Sequence, residues 1–372
     1  MIKLVMLARE ITKKEIEVGI GTERSSTRLA PIFKTLHLNI PLKNGELYTP
    51  SFPIDVTEGV PILQLPLDFI PHDTSILFGT PSINEKAQAM SKTPSKMIID
   101  PGKGTGSPFI AASIQADKDD ILISAPCDQY LSKAVSKGIK TILSKMDSKD
   151  FESGTILTTG TKNPAFSYIR IENDKAIEFM LKGIIPKEGM IAETMIVCCR
   201  VGYLHKQLRE MKDCTINDLK KIYPYPENEL KEIQKTLQEI VQLLDTCKTP
   251  VKYIEKCSFC DFSKIIHRLL ITSMTYATVE YQQEWDDLGD WIKLYNSPIF
   301  PRDKNGNKVF AKKENILYTD CENSIIANFT DKKMIVHGLK NQIIASGPRG
   351  AINLSIELPP NDFKQKVKKI QM

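Results

Sequence analysis

Between Ser75 and Met146 the chain alternates short apolar runs with helical patterns, and this rhythm constrains the fold more than any other feature. Ser75-Ile76-Leu77-Phe78-Gly79 reads as a strand, and the polar stretch from Ile83 to Ser91 is helix-like. Lys96-Met97-Ile98-Ile99-Asp100 reads as a second strand, and the small, apolar run Ile110 to Gln115 suits a buried helix. Asp120-Ile121-Leu122-Ile123-Ser124 makes a third strand and runs into Ala125-Pro126-Cys127-Asp128. Ala134, Val135, Ile142, Leu143 and Met146 then recur at helical spacing. Strand and helix in turn, at this pace, imply an α/β fold: a mostly parallel sheet with helices on both faces. Ligands of such sheets lie beyond the C-terminal ends of the strands. Asp100 and Asp128 draw attention for that reason, since each closes a strand.

The texture changes twice further on. Leu230, Ile233, Leu237, Ile240, Val241 and Leu244 form one apolar face with Glu and Lys opposite, the pattern of a packing helix. Tyr223-Pro224-Tyr225-Pro226 forbids helix before it and sets its start. From Pro301 the turn residues Asp303-Lys304-Asn305-Gly306-Asn307 introduce short apolar runs at 316–318, 324–327, 334–336, 342–345 and 351–354. That spacing predicts an all-β appendage. The expected division is an α/β domain over 1–300 and a β-rich domain over 301–372. The basic end, Lys364 to Lys369, reads as a solvated helix end.

Composition removes several classes of function. Fifty Lys and Arg against 45 Asp and Glu give a net charge of +5, spread along the chain, so no nucleic-acid partner is expected. No run of about 18 apolar residues exists to span a membrane. The apolar start, Met1 to Ala8, ends in charge without a cleavage site, so the expected location is the cytoplasm. Cys257-Ser258-Phe259-Cys260 is a lone CxxC without a second pair, and the eight cysteines read as reduced structural thiols.

Two glycine motifs fail on inspection. Gly19-Ile20-Gly21 would need a third glycine where Arg24 stands. Gly102-Lys103-Gly104-Thr105-Gly106-Ser107 lacks the Ser or Thr after its lysine that a P-loop requires. What survives is a glycine-bearing turn after a strand, able to bring backbone N–H groups to a ligand. Trp285-Asp286-Asp287-Leu288-Gly289-Asp290-Trp291 is the most unusual segment, with both tryptophans of the chain and three aspartates. Three carboxylates together repel unless a cation or solvent offsets them. The segment is therefore either a site for a hard cation such as Mg²⁺ or an exposed acidic turn pinned by two aromatics.

Several segments, in order, resemble the bacterial mannose-1-phosphate guanylyltransferases, within the sugar-phosphate nucleotidyltransferases. Thr27-Arg28-Leu29-Ala30-Pro31 is similar to the end of that family's GGxGTRLWP loop, and Asp100-Pro101 through Ser107-Pro108 to its EPxGRNTAP segment. Pro126-Cys127-Asp128-Gln129 resembles PADH, Phe179-Met180-Leu181-Lys182 resembles FxEKP, and Cys260-Asp261-Phe262 resembles the IDY segment. Residues 285–291 resemble WSDVGSW, and Asn315 to Leu354 resembles the family's β-rich tail. The resemblance implies a Rossmann-like nucleotidyltransferase domain followed by a small β-helix-like domain. It implies nucleotidyl transfer from GTP to mannose 1-phosphate, giving GDP-mannose and pyrophosphate. Asp128 and Asp287 would hold Mg²⁺. Arg28 would meet the triphosphate, Lys182 the sugar phosphate, and Lys43 would stand for the lysine after the first loop. Thr27, Arg28, Asp100, Pro101, Ser107 and Pro108 would line the nucleotide. The expected partners are GTP and a sugar 1-phosphate, and the C-terminal domain is a place where a homo-oligomer could form. Counted back from Pro31, the family's loop glycines fall on Glu23, Arg24 and Ser26. Two other outcomes therefore stay open: a non-catalytic homologue that binds a nucleotide or a partner, and a transferase for another sugar 1-phosphate.

Overall fold

The computed structural model describes residues 1–8, 40–41, 47–48, 55–56, 60–61, 64–79, 92–99, 104–126, 129–148, 150–164, 166–173, 175–181, 185–288, 291–311, 313–328, 330, 332–347 and 350–356. The chain divides into two compact units. The first comprises Met1–Ala8, Pro66–Pro126 and Leu131–Trp285; the second comprises Arg9–Leu65, Cys127–Tyr130 and Asp286–Met372.

In chain order the strands begin with β1 (Ile2–Ala8). Four two-residue strands pair as two small antiparallel ribbons: β2 (Ile40–Pro41) with β3 (Leu47–Tyr48), and β4 (Asp55–Val56) with β5 (Val60–Pro61). Helix α1 (Gln64–Phe69) leads into β6 (Thr74–Gly79) and β7 (Ser95–Ile99). Then come α2 (Gly106–Ser113), β8 (Ile121–Pro126), β9 (Gln129–Leu131) and α3 (Lys133–Asp147). The strands and helices expected between 75 and 146 are thus present wherever the chain is described, while the helix expected at 83–91 lies outside the described residues. The sheet continues with β10 (Ser153–Thr159), β11 (Tyr168–Glu172), β12 (Lys175–Met180) and β13 (Met190–Arg200). Four helices follow: α4 (Val201–Lys212), α5 (Ile216–Ile222), α6 (Glu227–Thr246) and α7 (Pro250–Lys256). A π-helical turn at Phe262–Ile266 opens the short α8 (His267–Leu270), before β14 (Met274–Glu280).

Nine strands form the sheet of the first unit. β1 runs parallel to β6 and β8, and β6 parallel to β7. β13 is reversed against β8, β10 and β11, β14 runs parallel to β10, and β12 is reversed against β11. Seven strands (β1, β6, β7, β8, β10, β11 and β14) therefore point one way, and only β12 and β13 oppose them. β1 and β8 are flanked on both sides, and their middles, Leu4 to Met6 and Ile121 to Ile123, are apolar and buried, as a covered parallel sheet requires. The long helix α6 begins after Pro226 as expected, with Glu227 and Glu229 in its first turn beside the helix's positive end. It buries Leu230, Ile233, Leu237, Ile240 and Val241 in the core. Thr215 and Asp218 form a reciprocal capping box that starts α5. The seven described cysteines are free, and all but Cys214 are buried, in line with structural thiols.

In the second unit β15 (Trp285–Asp287, entered from the first unit) and α9 (Trp291–Asn296) precede a coil of short strands. These are β16 (Lys308–Ala311), β17 (Ile316–Thr319), β18 (Ile325–Asn328), β19 (Met334–His337), β20 (Gln342–Gly347) and β21 (Gly350–Ser355). β16, β18 and β20 stack in parallel, with Lys308 beside Ile325 and Ile325 beside Ile343, an advance of 17 then 18 residues. β17 and β19 stack the same way, 18 residues apart, from Ile316 to Met334. The corners repeat with this period. Gly306, Asn323 and Asn341 have φ of 80°, 48° and 52°, and Asp320 and Gly338 have 54° and 69°. Only Gly, and Asn or Asp at modest cost, adopt that left-handed backbone readily. The expected β-rich tail is thus a solenoid whose corners are written in Asn, Asp and Gly. β21 closes it by pairing antiparallel to β20.

Candidate functional site

The strand directions place the C-terminal ends of β1, β6, β7, β8, β10 and β14 at one edge of the sheet. Asp100 follows β7 in sequence and Asp128 stands two residues after β8. Thr27, Arg28, Lys43, Asp100, Pro101, Asp128 and Lys182 themselves lie outside the described residues.

The acidic segment follows the C-terminal end of β14. Trp285 is 1% exposed and packs edge-on against Phe166, with Tyr281 alongside (centroids 5.5 and 6.2 Å). β15 forms a two-stranded ribbon with β9. Ser132 N donates to Glu284 O at 2.9 Å, so the C-terminal end of β9 lies beside the start of β15. The other end of β9, which follows Asp128 directly in sequence, is thereby turned toward Asp287. Of the two aspartates singled out as metal ligands, Asp287 stands on this ribbon, and Asp128 lies outside the described residues, directly before β9 in sequence.

The described part of the acidic segment, 285–288, holds a strand with a buried aspartate rather than an exposed turn. Asp286 is 1% exposed. Burial, reinforced by the neighbouring Asp287 charge, pushes its pKa up to about 7, against the opposing effects of a Ser297 hydrogen bond and of Lys293. Its Oδ2 is buried with no hydrogen-bond partner among the described residues. Asp287 is partly exposed and forms an ion pair with Lys293 of α9. Beneath them Lys308, at the start of β16, is fully buried. Its ammonium donates to the carbonyls of Leu294, at 2.8 Å, and Ser297. Burial and the Arg302 charge pull its pKa down to about 8, while Asp286 opposes that shift. Lys293 therefore acts on both described carboxylates, as the ion-pair partner of Asp287 and as a charge that lowers the Asp286 pKa.

Ser107 and Pro108 lie in the first turn of α2, fully buried. The Ser107 hydroxyl donates to Ser258 O at 3.2 Å, so this side chain braces the turn against the 257–262 segment. Gly106 N donates to Cys260 O at 2.9 Å, and Gly104 holds φ at +84°. A Cβ added to Gly104 would stand 2.3 Å from Cys260 O, a backbone atom that cannot step aside. Gly104→Ala is therefore expected to destabilise the fold by about 2–4 kcal/mol through backbone strain and overpacking. A urea titration against the parent protein reads this directly.

A second polar cluster lies in the core of the first unit, where sequence reasoning placed nothing. Glu193 on β13 is 3% exposed and His267 of α8 is 0% exposed, with Glu193 Oε1 3.8 Å from His267 Nδ1. Glu193 Oε1 accepts from Met195 N at 2.5 Å, and Met195 has φ of +66° where the ladder with β10 slips register. Burial pushes the Glu193 pKa up to about 8, against that hydrogen bond. Burial and the Arg268 charge drive His267 down to about 3. Glu193 is a neutral acid and His267 a neutral imidazole near pH 6. Both ring nitrogens of His267 and Glu193 Oε2 are buried without hydrogen-bond partners among the described residues. The His267 ring packs on Phe179, with centroids 4.6 Å apart.

Among the described residues no helix is long and apolar enough to cross a membrane. No protein-family model matches the sequence, and no curated protein matches it. Looser structural likenesses are to mannose-6-phosphate isomerase from Helicobacter pylori (TM-score 0.47, 13% identity, 77% of this chain and 99% of that one) and to a nucleoside-diphosphate-sugar pyrophosphorylase from Vibrio cholerae (0.43, 11%, 79% and 98%). Overlaps at that level say nothing about the fold. A protein of Thermus thermophilus, described as a mannose-1-phosphate geranyltransferase, aligns with a TM-score of 0.64 at 14% identity, over 100% of this chain and 99% of that one. The α/β fold with a mostly parallel sheet and added C-terminal strands is thus shared from end to end with that protein.

Proposed function

We propose that this chain transfers a nucleotidyl group from GTP to a sugar 1-phosphate, with mannose 1-phosphate as the first candidate, releasing pyrophosphate. The observation that carries this reading is the β9–β15 ribbon, which presents the partly exposed Asp287 carboxylate beside Lys293; Asp128 precedes β9 in sequence. The end-to-end fold likeness to a protein named for mannose 1-phosphate supports it. A phosphate oxygen of the sugar 1-phosphate attacks the α-phosphorus of the triphosphate in line. The new P–O bond forms as the bond to the β-phosphate oxygen breaks, and pyrophosphate carries the leaving charge.

Such chemistry asks the protein to position two anionic reactants and to offset the charge that spreads between them. Arg28 would clamp the triphosphate with its planar guanidinium, with Thr27 beside it and Lys43 adding charge. Lys182, two residues after the end of β12, would hold the sugar phosphate. Asp100 and Pro101 would line the nucleotide, while Ser107 and Pro108 would act by bracing their turn.

Mg²⁺ fits the residues present. Asp287 offers carboxylate oxygens on a partly exposed side chain, the donor type a hard cation prefers. Among the described residues no three His, Cys, Asp or Glu converge on one point, and Mg²⁺ does not require that. It is commonly held by one or two carboxylates together with substrate phosphates and water. Asp128 and Asp287 would hold it, and its positive charge would polarise the phosphates.

The test is chromatographic turnover across a panel of nucleoside triphosphates and sugar 1-phosphates. GDP-mannose and pyrophosphate are the expected products. A different productive pair would change the substrates, and no turnover by folded protein with any pair would refute the transfer reading.

A further inference from the structure

Two adjacent aspartates close β15, and Asp287 is ion-paired to Lys293. Asp286 and Lys308 are both buried, and Lys308 is tied to two backbone carbonyls, so neither can leave its place without exposing an unpaired group. Asp287 and Lys293 differ: their side chains are 25% and 17% exposed, and the ammonium ends a flexible four-carbon stem that can turn into water. The geometry points to Lys293 as the resident counter-cation of Asp287, which a divalent metal ion must displace in order to bind there. This rests on the reading above that Asp287 faces the metal.

The physical reason is charge. A divalent ion on the Asp287 carboxylate would lie within a few ångströms of the ammonium that already occupies it. Two cations cannot share one carboxylate without strong repulsion. Each binding event therefore includes release of Lys293, and the apparent affinity falls by the fraction of molecules in which the ion pair is closed. Lys293 thereby sets how much free metal ion the site tolerates before it loads. Lys308 stays in place throughout, held by the carbonyls of Leu294 and Ser297.

The experiment titrates Mn²⁺ alone into the full chain and reads free Mn²⁺ by electron paramagnetic resonance. Lys293→Met keeps the stem and removes the charge; it should bind Mn²⁺ about fivefold tighter than the parent. Lys340→Met removes an exposed lysine paired with Glu322 in the solenoid, and should leave binding unchanged. Asp287→Asn should abolish the site. Equal, weaker or undetectable binding in Lys293→Met, with Asp287→Asn still harmful where binding is seen, overturns the competition and leaves Asp287 as a ligand. An equal gain in Lys340→Met overturns it too, since net charge would then explain the effect. Binding unaffected by Asp287→Asn removes Asp287 from the metal and refutes both ideas. Melting curves establish that each variant is folded, and Lys293→Gln replaces the Met variant if that one is not.

Discussion

Asp287→Asn is expected to lower the turnover number for nucleotidyl transfer by about 10²–10³-fold, the scale seen when one charge-stabilising group is removed from a reacting centre. Asparagine keeps the shape of aspartate and loses its charge. The fold should lose about 1 kcal/mol or less, because Asp287 is a quarter exposed and Lys293 can turn to water. Activity and stability therefore separate in this variant, which rate assays of pyrophosphate release and thermal melts read side by side. Retained turnover with an unchanged melt would exclude Asp287 from the chemistry. Asp286 is a poor substitute for this test, since its buried carboxyl sits with Ser297 and Lys308, and its replacement would act on folding.

Glu193→Gln should change the pH dependence of stability more than any surface substitution. The folded pKa of Glu193, about 8, lies above its ordinary value of 4.5. Its contribution is therefore whole below pH 4.5 and is lost as pH rises through 8. His267 behaves in the opposite sense. Its folded value of about 3 lies below 6.5, so its contribution is whole above pH 6.5 and is lost as pH falls through 3. Together they favour a stability maximum between about pH 5 and 6.5 on the part of these two groups. Glutamine keeps an oxygen to accept from Met195 N and cannot ionise. Urea midpoints of the parent should fall from pH 5 to pH 8 relative to the Gln variant. Each unit of pKa displacement corresponds to about 1.4 kcal/mol, a large effect against a total stability of about 5–15 kcal/mol. Parallel midpoint curves for the two proteins would exclude the neutral acid.

The parallel part of the sheet was legible because β6, β7 and β8 are short apolar runs separated by helical patterns. The tail was legible because five of its strands alternate with turn residues at a regular pitch. β16 escaped notice because it opens with Lys308, and a buried charge breaks the apolar run that marks a strand. The acidic segment announced itself through composition, yet composition left two environments open. What separated them is a matter of folding: α9 turns Lys293 back onto Asp287, six residues earlier, and Ser297 reaches the buried Asp286. Glu193 and His267 gave no signal at all. They meet only because a register slip in β13 and a π-helical turn aim them at each other, and neither device follows from local pattern. The first loop, with Arg28, falls outside the described residues, so its likeness to a triphosphate cradle still rests on sequence.

The solenoid's first rung has one more consequence. Lys308 belongs to that rung, yet its ammonium secures the end of α9 and answers the charge of Asp286. A chain ended at residue 300 would leave the carbonyls of Leu294 and Ser297 without the ammonium that now meets them. The helix that carries Lys293 therefore depends on the first turn of the coil for the cation at its C-terminal end. Truncation at the far end of the coil and truncation at its first rung are therefore different injuries, since only the second takes this brace from α9.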